Sequence, residues 1–232
     1  ARPPEFDIVV DAANVADWSP VFQDQTIINN IKNVYTEFTL DPNLADFFAI
    51  TRNNAAALEV AIGTFFPEAN QWATALGEDI VNVLTFQLMY EYSGGCTSTV
   101  ANGKNGDIIH GRNLDYAPFA LPGQPGIYGT VLVANFVDTS GARLYSCPTF
   151  ASYTGCLTGM REDRFSISLN QRYPVGQQPG IHSQYFIDNW NHACPNGTYS
   201  GAAAFGFFIR STLFDGLNYT EMNDAIMSTQ FV

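Results

Sequence analysis

The chain has 232 residues, 46% of them apolar and only 14% charged, which is enough for one large or two small packed domains and too little charge for charge-driven disorder. Twenty-two acidic against 10 basic side chains give a net charge of -12, which argues against nucleic acid or an anionic membrane as a partner and suits an acidic compartment. No run approaches the roughly 18 apolar residues of a membrane span, and the opening ARPPEFDIVV lacks the basic-then-apolar layout of a secretory signal, so a soluble, already trimmed chain is expected.

Residues 1–95 hold 13 acidic and 3 basic side chains and no cysteine. Ile27, Ile28, Ile31, Val34, Tyr35 and Phe38 recur at helical spacing until Asp41-Pro42 stops the run. Further helical stretches are predicted over 44–62 and, after Pro67, over 68–92, so residues 1–95 read as a helical prodomain or cap. After Gly94-Gly95 the pattern turns to period two in CTSTVA, DIIHGR, YGTVLVANFVD, ARLYSCPTF and RFSISLN, separated by turn clusters such as NGKNG and TSG. These predict antiparallel strands, followed by helices near 199–213 and 220–229. The order predicts an α+β fold with a chemical boundary at residue 95.

A loop of Asn102–Gly106 centred on Lys104 would make facing residues of its hairpin sum to 208, setting Cys96 opposite Arg112 and His110 opposite Ser98. A guanidinium beside a thiol favours the thiolate, the form that attacks carbonyls. Asp115 could orient that arginine or receive a proton. His110 is read as a structural histidine, because its diagonal distance to Cys96, about 7–8 Å, is too long for a direct dyad. Cys96, Cys147, Cys156 and Cys194 stand too far apart for a metal-ligand set, and neither a metal nor a cofactor is expected. One disulfide among the last three is left open. Asn196-Gly-Thr198 and Asn218-Tyr-Thr220 are glycosylation acceptors if the chain is secreted. Trp190, Phe205, Phe207 and Phe208 could line an apolar groove or simply pack the core.

The stretch CTSTVANGKNGDIIHGRNLDY closely resembles the start of the catalytic subunit in the acid ceramidase and N-acylethanolamine acid amidase family, N-terminal nucleophile hydrolases related to bile salt hydrolases. TFASYTGCLTGMREDRFSISLNQR (149–172) resembles the family's later strands, and Tyr90 and Glu91 stand before the cysteine as in the family. The resemblance implies an αββα sandwich, with 1–95 as prodomain or α-subunit and 96–232 as the N-terminal, incomplete part of the catalytic β-subunit. It implies self-cleavage at Gly95-Cys96 and hydrolysis of N-acyl lipids such as ceramides or N-acylethanolamines by Cys96. Arg112 and Asp115 would position and polarise the nucleophile, with Asn170 and Gln171 beside the substrate carbonyl. Gln171 stands where the lipid amidases carry glutamate, and the family's downstream Asn and Arg are missing. A fragment, or a partner chain completing the fold, is therefore expected. The alternatives are a catalytically silent glycoprotein acting as an assembly subunit, or hydrolysis of bile-salt-like or penicillin-like amides. A lysosomal or secreted location follows from the resemblance.

Overall fold

In the structure, a computed structural model, residues 2–92, 95–115, 119–170, 191, 199–201 and 203–231 are described, with backbone alone at 91, 92, 95 and 115. The chain enters as a strand, β1 (Glu5–Val9), which runs parallel to β4 (Val131–Val137) with Ile8 beside Phe136. The reading of residues 1–95 as helical misses this strand, because five residues with one fully buried side chain, Ile8, are outweighed by the long apolar stripes that follow.

Those stripes form α1 (Ser19–Phe22), α2 (Gln25–Leu40), α3 (Ala45–Asn53), α4 (Ala55–Ile62), α5 (Phe66–Leu76), α6 (Ile80–Gln87) and α7 (Met89–Tyr92). In α2 the Asp24 carboxylate accepts from the amides of Thr26 and Ile27 at 2.9 and 3.1 Å, filling donors that a helix start leaves open. The six apolar residues at helical spacing are all buried, and Asp41-Pro42 ends the helix. α5 carries Pro67 in its first turn and stops at Gly77, whose φ of 70° suits the left-handed C-terminal cap.

The main sheet has the order β1-β4-β5-β6-β7, with β5 (Arg143–Phe150), β6 (Thr158–Arg161) and β7 (Phe165–Ser168) antiparallel to their neighbours. β2 (Gly95–Asn102) and β3 (Ile108–Asp115) form a separate antiparallel ribbon. Helices α8 (Phe205–Asp215) and α9 (Tyr219–Ser228) complete an α+β fold. Trp18 packs edge-on to Phe136 at 5.9 Å and against Trp72 at 5.6 Å, joining the helices to the sheet. Residues on both sides of position 95, from Ile27 and Trp72 to Leu132 and Leu213, share one apolar cluster. Phe207 belongs to it, stacking 5.2 Å from Phe65, while Phe205 stacks 4.2 Å from Phe231, so these rings pack the protein rather than a groove; Trp190 lies outside the described residues.

Two features fix the segment between β5 and β6. Cys147 pairs with Cys156 across nine residues, which closes one of the disulfide choices the sequence leaves open; Cys194 lies outside the described residues. Gly159 sits where a Cβ would collide with Leu213 of α8 and crowd both sulfurs, so only glycine lets β6 approach the helix. Buried Gln87 of α6 clasps the same segment: its Nε2 donates to the Ser152 carbonyl at 2.6 Å, and its Oε1 accepts from the Thr154 amide at 2.8 Å.

A fully buried ion pair ties a helix of the first half of the chain to one near its C-terminal end. Arg210 of α8 donates to both oxygens of Glu68 in α5, at 2.6 and 2.8 Å, and also to the Thr154 carbonyl at 2.6 Å. Glu68 accepts in addition from Trp18 Nε1 at 2.6 Å and from the Ala16 amide at 2.9 Å. The guanidinium lies between the rings of Phe65 and Phe136, 4.6 and 4.5 Å from their centroids. Burial by itself would lower the Arg210 pKa, but the adjacent carboxylate more than offsets this and holds it above the usual arginine range. Glu68→Ala would leave a buried cation without its partner and should cost about 3–5 kcal/mol, read as a fall in the midpoint of denaturant unfolding. Glu68→Leu with Arg210→Met should be milder than the single change, because no charge is stranded.

Candidate active site

The β2–β3 turn closes one residue later than the sequence reading places it. The Gly103 amide donates to the Asp107 carbonyl at 2.7 Å and the Gly106 amide to the Gly103 carbonyl at 3.1 Å, with Gly106 at a φ of +84° that only glycine adopts readily. Facing residues therefore sum to 210 and not 208. Cys96 faces Leu114 instead of Arg112, Arg112 faces Ser98, and His110 faces Val100 instead of Ser98. A shift of two keeps each side chain on its face, since strand side chains alternate with period two. The arginine is long enough to cover the diagonal, and the expected contact survives the wrong register.

Arg112 Nη2 lies 3.0 Å from Cys96 Sγ and also donates to the Leu169 carbonyl, while Nη1 donates to Thr158 Oγ1 at 2.7 Å. Its Nε is buried and has no partner among the described residues. Tyr90 Oη donates to the same Leu169 carbonyl at 3.0 Å and stands 3.8 Å from Sγ. The thiol, half-buried and the free cysteine among the described residues, is thus framed by a cation from β3, a phenol from α7 and the chain just beyond β7. Thr158 and the Leu169 carbonyl are contributions the sequence reading missed. A backbone carbonyl leaves no mark on a sequence, and Thr158 differs from any other strand threonine only in where β6 runs.

Beside Arg112 opens a largely apolar cavity of about 320 Å³, lined by Leu114, Tyr128, Val131, Phe150 and Leu157 among others. A polar row runs from His110, which also lines this cavity. Ser98 Oγ donates to Asn170 Oδ1 at 2.9 Å and lies 2.7 Å from Ser168 Oγ, and His110 meets Ser166 and Ser168 at 2.9 and 3.0 Å. Asn170 is thus brought to the ribbon. The Asp115 side chain, Gln171, Asn196 and Gly94 lie outside the described residues; the Gly95 backbone pairs with that of Asp115. Among the described residues no cluster of His, Cys, Asp or Glu could hold a metal ion, and no helix is long and apolar enough to cross a membrane.

No family model matches the chain. It is 34% identical over 150 residues to an N-acylethanolamine-hydrolyzing acid amidase of Caenorhabditis elegans, covering 65% of this chain and 37% of that protein. It is 26% identical over 216 residues to acid ceramidase of Bos taurus, covering 90% of this chain and 51% of the relative. A solved structure of the Caenorhabditis elegans N-acylethanolamine-hydrolyzing acid amidase ortholog aligns over 56% of this chain and 47% of its own, at 34% identity and a TM-score of 0.40. The chain spans about half the length of the curated relatives it matches. The chain is an α+β protein whose homologues are amide hydrolases. It is a relative of the acid ceramidases and the N-acylethanolamine-hydrolyzing acid amidases.

The 3.0 Å contact from Arg112 Nη2 holds the Cys96 sulfur against a fixed positive charge. Arg112→Gln should slow alkylation of Cys96 by iodoacetamide several-fold at neutral pH, followed by mass spectrometry. An unchanged rate would mean that the contact has no electrostatic consequence.

Proposed function

We propose that the chain is the nucleophile-bearing part of a lipid amidase of the acid ceramidase type, built as the αββα sandwich of N-terminal nucleophile hydrolases. It cuts itself at Gly95-Cys96, leaving 1–95 as the α-subunit and 96–232 as the N-terminal part of the catalytic subunit, and then hydrolyses the amide bond of a ceramide or N-acylethanolamine. The observation that carries this reading is the Arg112 guanidinium on Cys96 Sγ, at the strand start where the family resemblance locates the nucleophile.

Chemically, cleavage converts the Cys96 amide nitrogen into an α-amine, whose ordinary pKa of about 7.7–8.0 lets it take the proton of its own thiol. The thiolate attacks the substrate carbonyl. The resulting tetrahedral intermediate collapses as the α-ammonium gives its proton to the leaving amine, and water then hydrolyses the thioester to the fatty acid. Arg112 holds Sγ and the Leu169 carbonyl in fixed relation throughout. Asp115 orients the Cys96 amine, and Asn170 with Gln171 lies beside the substrate carbonyl. Gln171, a neutral amide where relatives carry glutamate, can donate to a developing oxyanion as an ionised carboxylate cannot. The apolar cavity beside Arg112 suits the acyl chain.

A lysosomal or secreted location and glycans on Asn196 and Asn218 belong to this reading, as does a further chain or segment that completes the fold. Asn218 caps α9 through its Oδ1, which accepts from the Glu221 amide at 3.0 Å, while a glycan bonds to Nδ2. Cap and glycan therefore do not compete.

Intact-mass analysis of the purified protein between pH 4 and 8 tests the proposal. The expected outcome is a fragment beginning at Cys96 that turns over an N-acyl amide, with Cys96→Ala folded, uncut and inactive. A chain that stays intact at every pH and hydrolyses no such amide would identify a silent structural subunit.

A further inference from the structure

A row of side chains beside the thiol links β3 to β7 and back to β2. His110 Nε2 lies 3.0 Å from Ser168 Oγ, Ser168 Oγ lies 2.7 Å from Ser98 Oγ, and Ser98 Oγ lies 2.9 Å from Asn170 Oδ1, while His110 Nδ1 lies 2.9 Å from Ser166 Oγ. Each serine owns one proton, so the donors must be dealt out consistently. Ser98 gives its proton to Asn170 Oδ1 and must accept from Ser168. Ser168 then has no proton left for the ring and must accept from Nε2–H.

The opposite row is equally consistent. An imidazole with its proton on Nδ1 would accept from Ser168 at Nε2, Ser168 would accept from Ser98, and Ser98 would accept from the NH2 of an overturned Asn170. Whether Nε2 carries a proton therefore decides which end of the Asn170 amide is spent on the row. In the structure the oxygen is spent, and Nδ2 makes no hydrogen bond among the described residues in an exposed side chain. Leu169, one residue earlier, gives its carbonyl to Arg112 and Tyr90 at the thiol, so the Asn170 backbone adjoins the site.

We propose that His110 is a positioning residue: acting through Ser168 and Ser98, it holds Asn170 with its oxygen turned to the row and its NH2 free to donate to the carbonyl oxygen of the amide substrate. This rests on the reading of the Cys96 site as an amide hydrolase. A protonated imidazole has two donors and no acceptor, so it permits this direction alone, whereas the neutral ring permits both. Against His110 stand Ser166 and Ser168 from β7 and Val100 from β2. Arg112, two residues along β3, and Tyr128, on the cavity wall, are the ionisable groups that line the same cavity.

The experiment combines turnover of an N-acyl amide with side-chain amide spectra of the asparagine-labelled protein. In His110→Ala and Ser168→Ala, kcat should fall about tenfold or more while KM moves less than about threefold. Cys96 alkylation should keep its rate, because neither side chain touches Sγ. His110→Gln, which retains a donor and an acceptor, should restore most of kcat. The Asn170 amide signals, assigned by their loss in Asn170→Asp, should shift in the two alanine variants and return in His110→Gln. Unmoved signals in both alanine variants would overturn the proposal whatever the turnover, and moved signals with unchanged kcat would overturn its catalytic part. A wild-type protein without amide turnover would defeat the amidase reading, while the Asn170 signals would still decide whether His110 sets the amide.

Discussion

The buried pair of Glu68 and Arg210 is the constraint on which the rest of the structure depends. A charge taken out of water is tolerated only when paired and hydrogen-bonded, and here each partner is satisfied from several directions. Its partners come from the loop after β1, from α5, from the segment between β5 and β6, and from α8. Moving any one of them strands a charge or an acceptor in the core. The pair therefore acts less as a source of net stability than as a specification of how distant parts of the chain must meet.

The site inherits its geometry from that specification. Arg210 and Gln87 both hold Thr154, and Tyr35 reaches Ser152 at 2.8 Å, so the segment leading into β6 is fixed from three helices. β6 supplies Thr158 to Arg112, and β7 supplies the serines that meet Ser98 and His110. The ribbon carrying Cys96 is thus held to the sheet by directional hydrogen bonds beside an apolar cavity. Hydrogen bonds tolerate little displacement, and they turn a ribbon that could lie in several registers into one with a defined position for sulfur.

The same arrangement gathers two chemically different surfaces around the ribbon. One is the apolar cavity, and the other is the row of hydroxyls that runs from His110, on the cavity wall, to Asn170. An amide with a long acyl group presents those two needs, a volume to bury and a carbonyl oxygen to receive donors. The proposed amide substrate rests on this division of the site together with the chain's similarity to an N-acylethanolamine-hydrolyzing acid amidase and to acid ceramidase.

By itself the sequence determined the helices of the first half, the strands that follow Gly94-Gly95, and the contact of Cys96 with Arg112, because each is written in a local period or in a spacing within one hairpin. The misplaced turn changed their pairing but left that contact intact, since a slip of two preserves the face of a strand. Only the tertiary structure decided that β1 runs beside β4, that Cys147 rather than Cys194 pairs with Cys156, that Thr158 and the Leu169 carbonyl reach Arg112, and that Glu68 meets Arg210 across 142 positions. These contacts join segments far apart in the chain, where no periodicity links one residue to the other. The energy that selects them comes from satisfying buried polar groups all at once, which is a property of the packed molecule and not of any stretch of it.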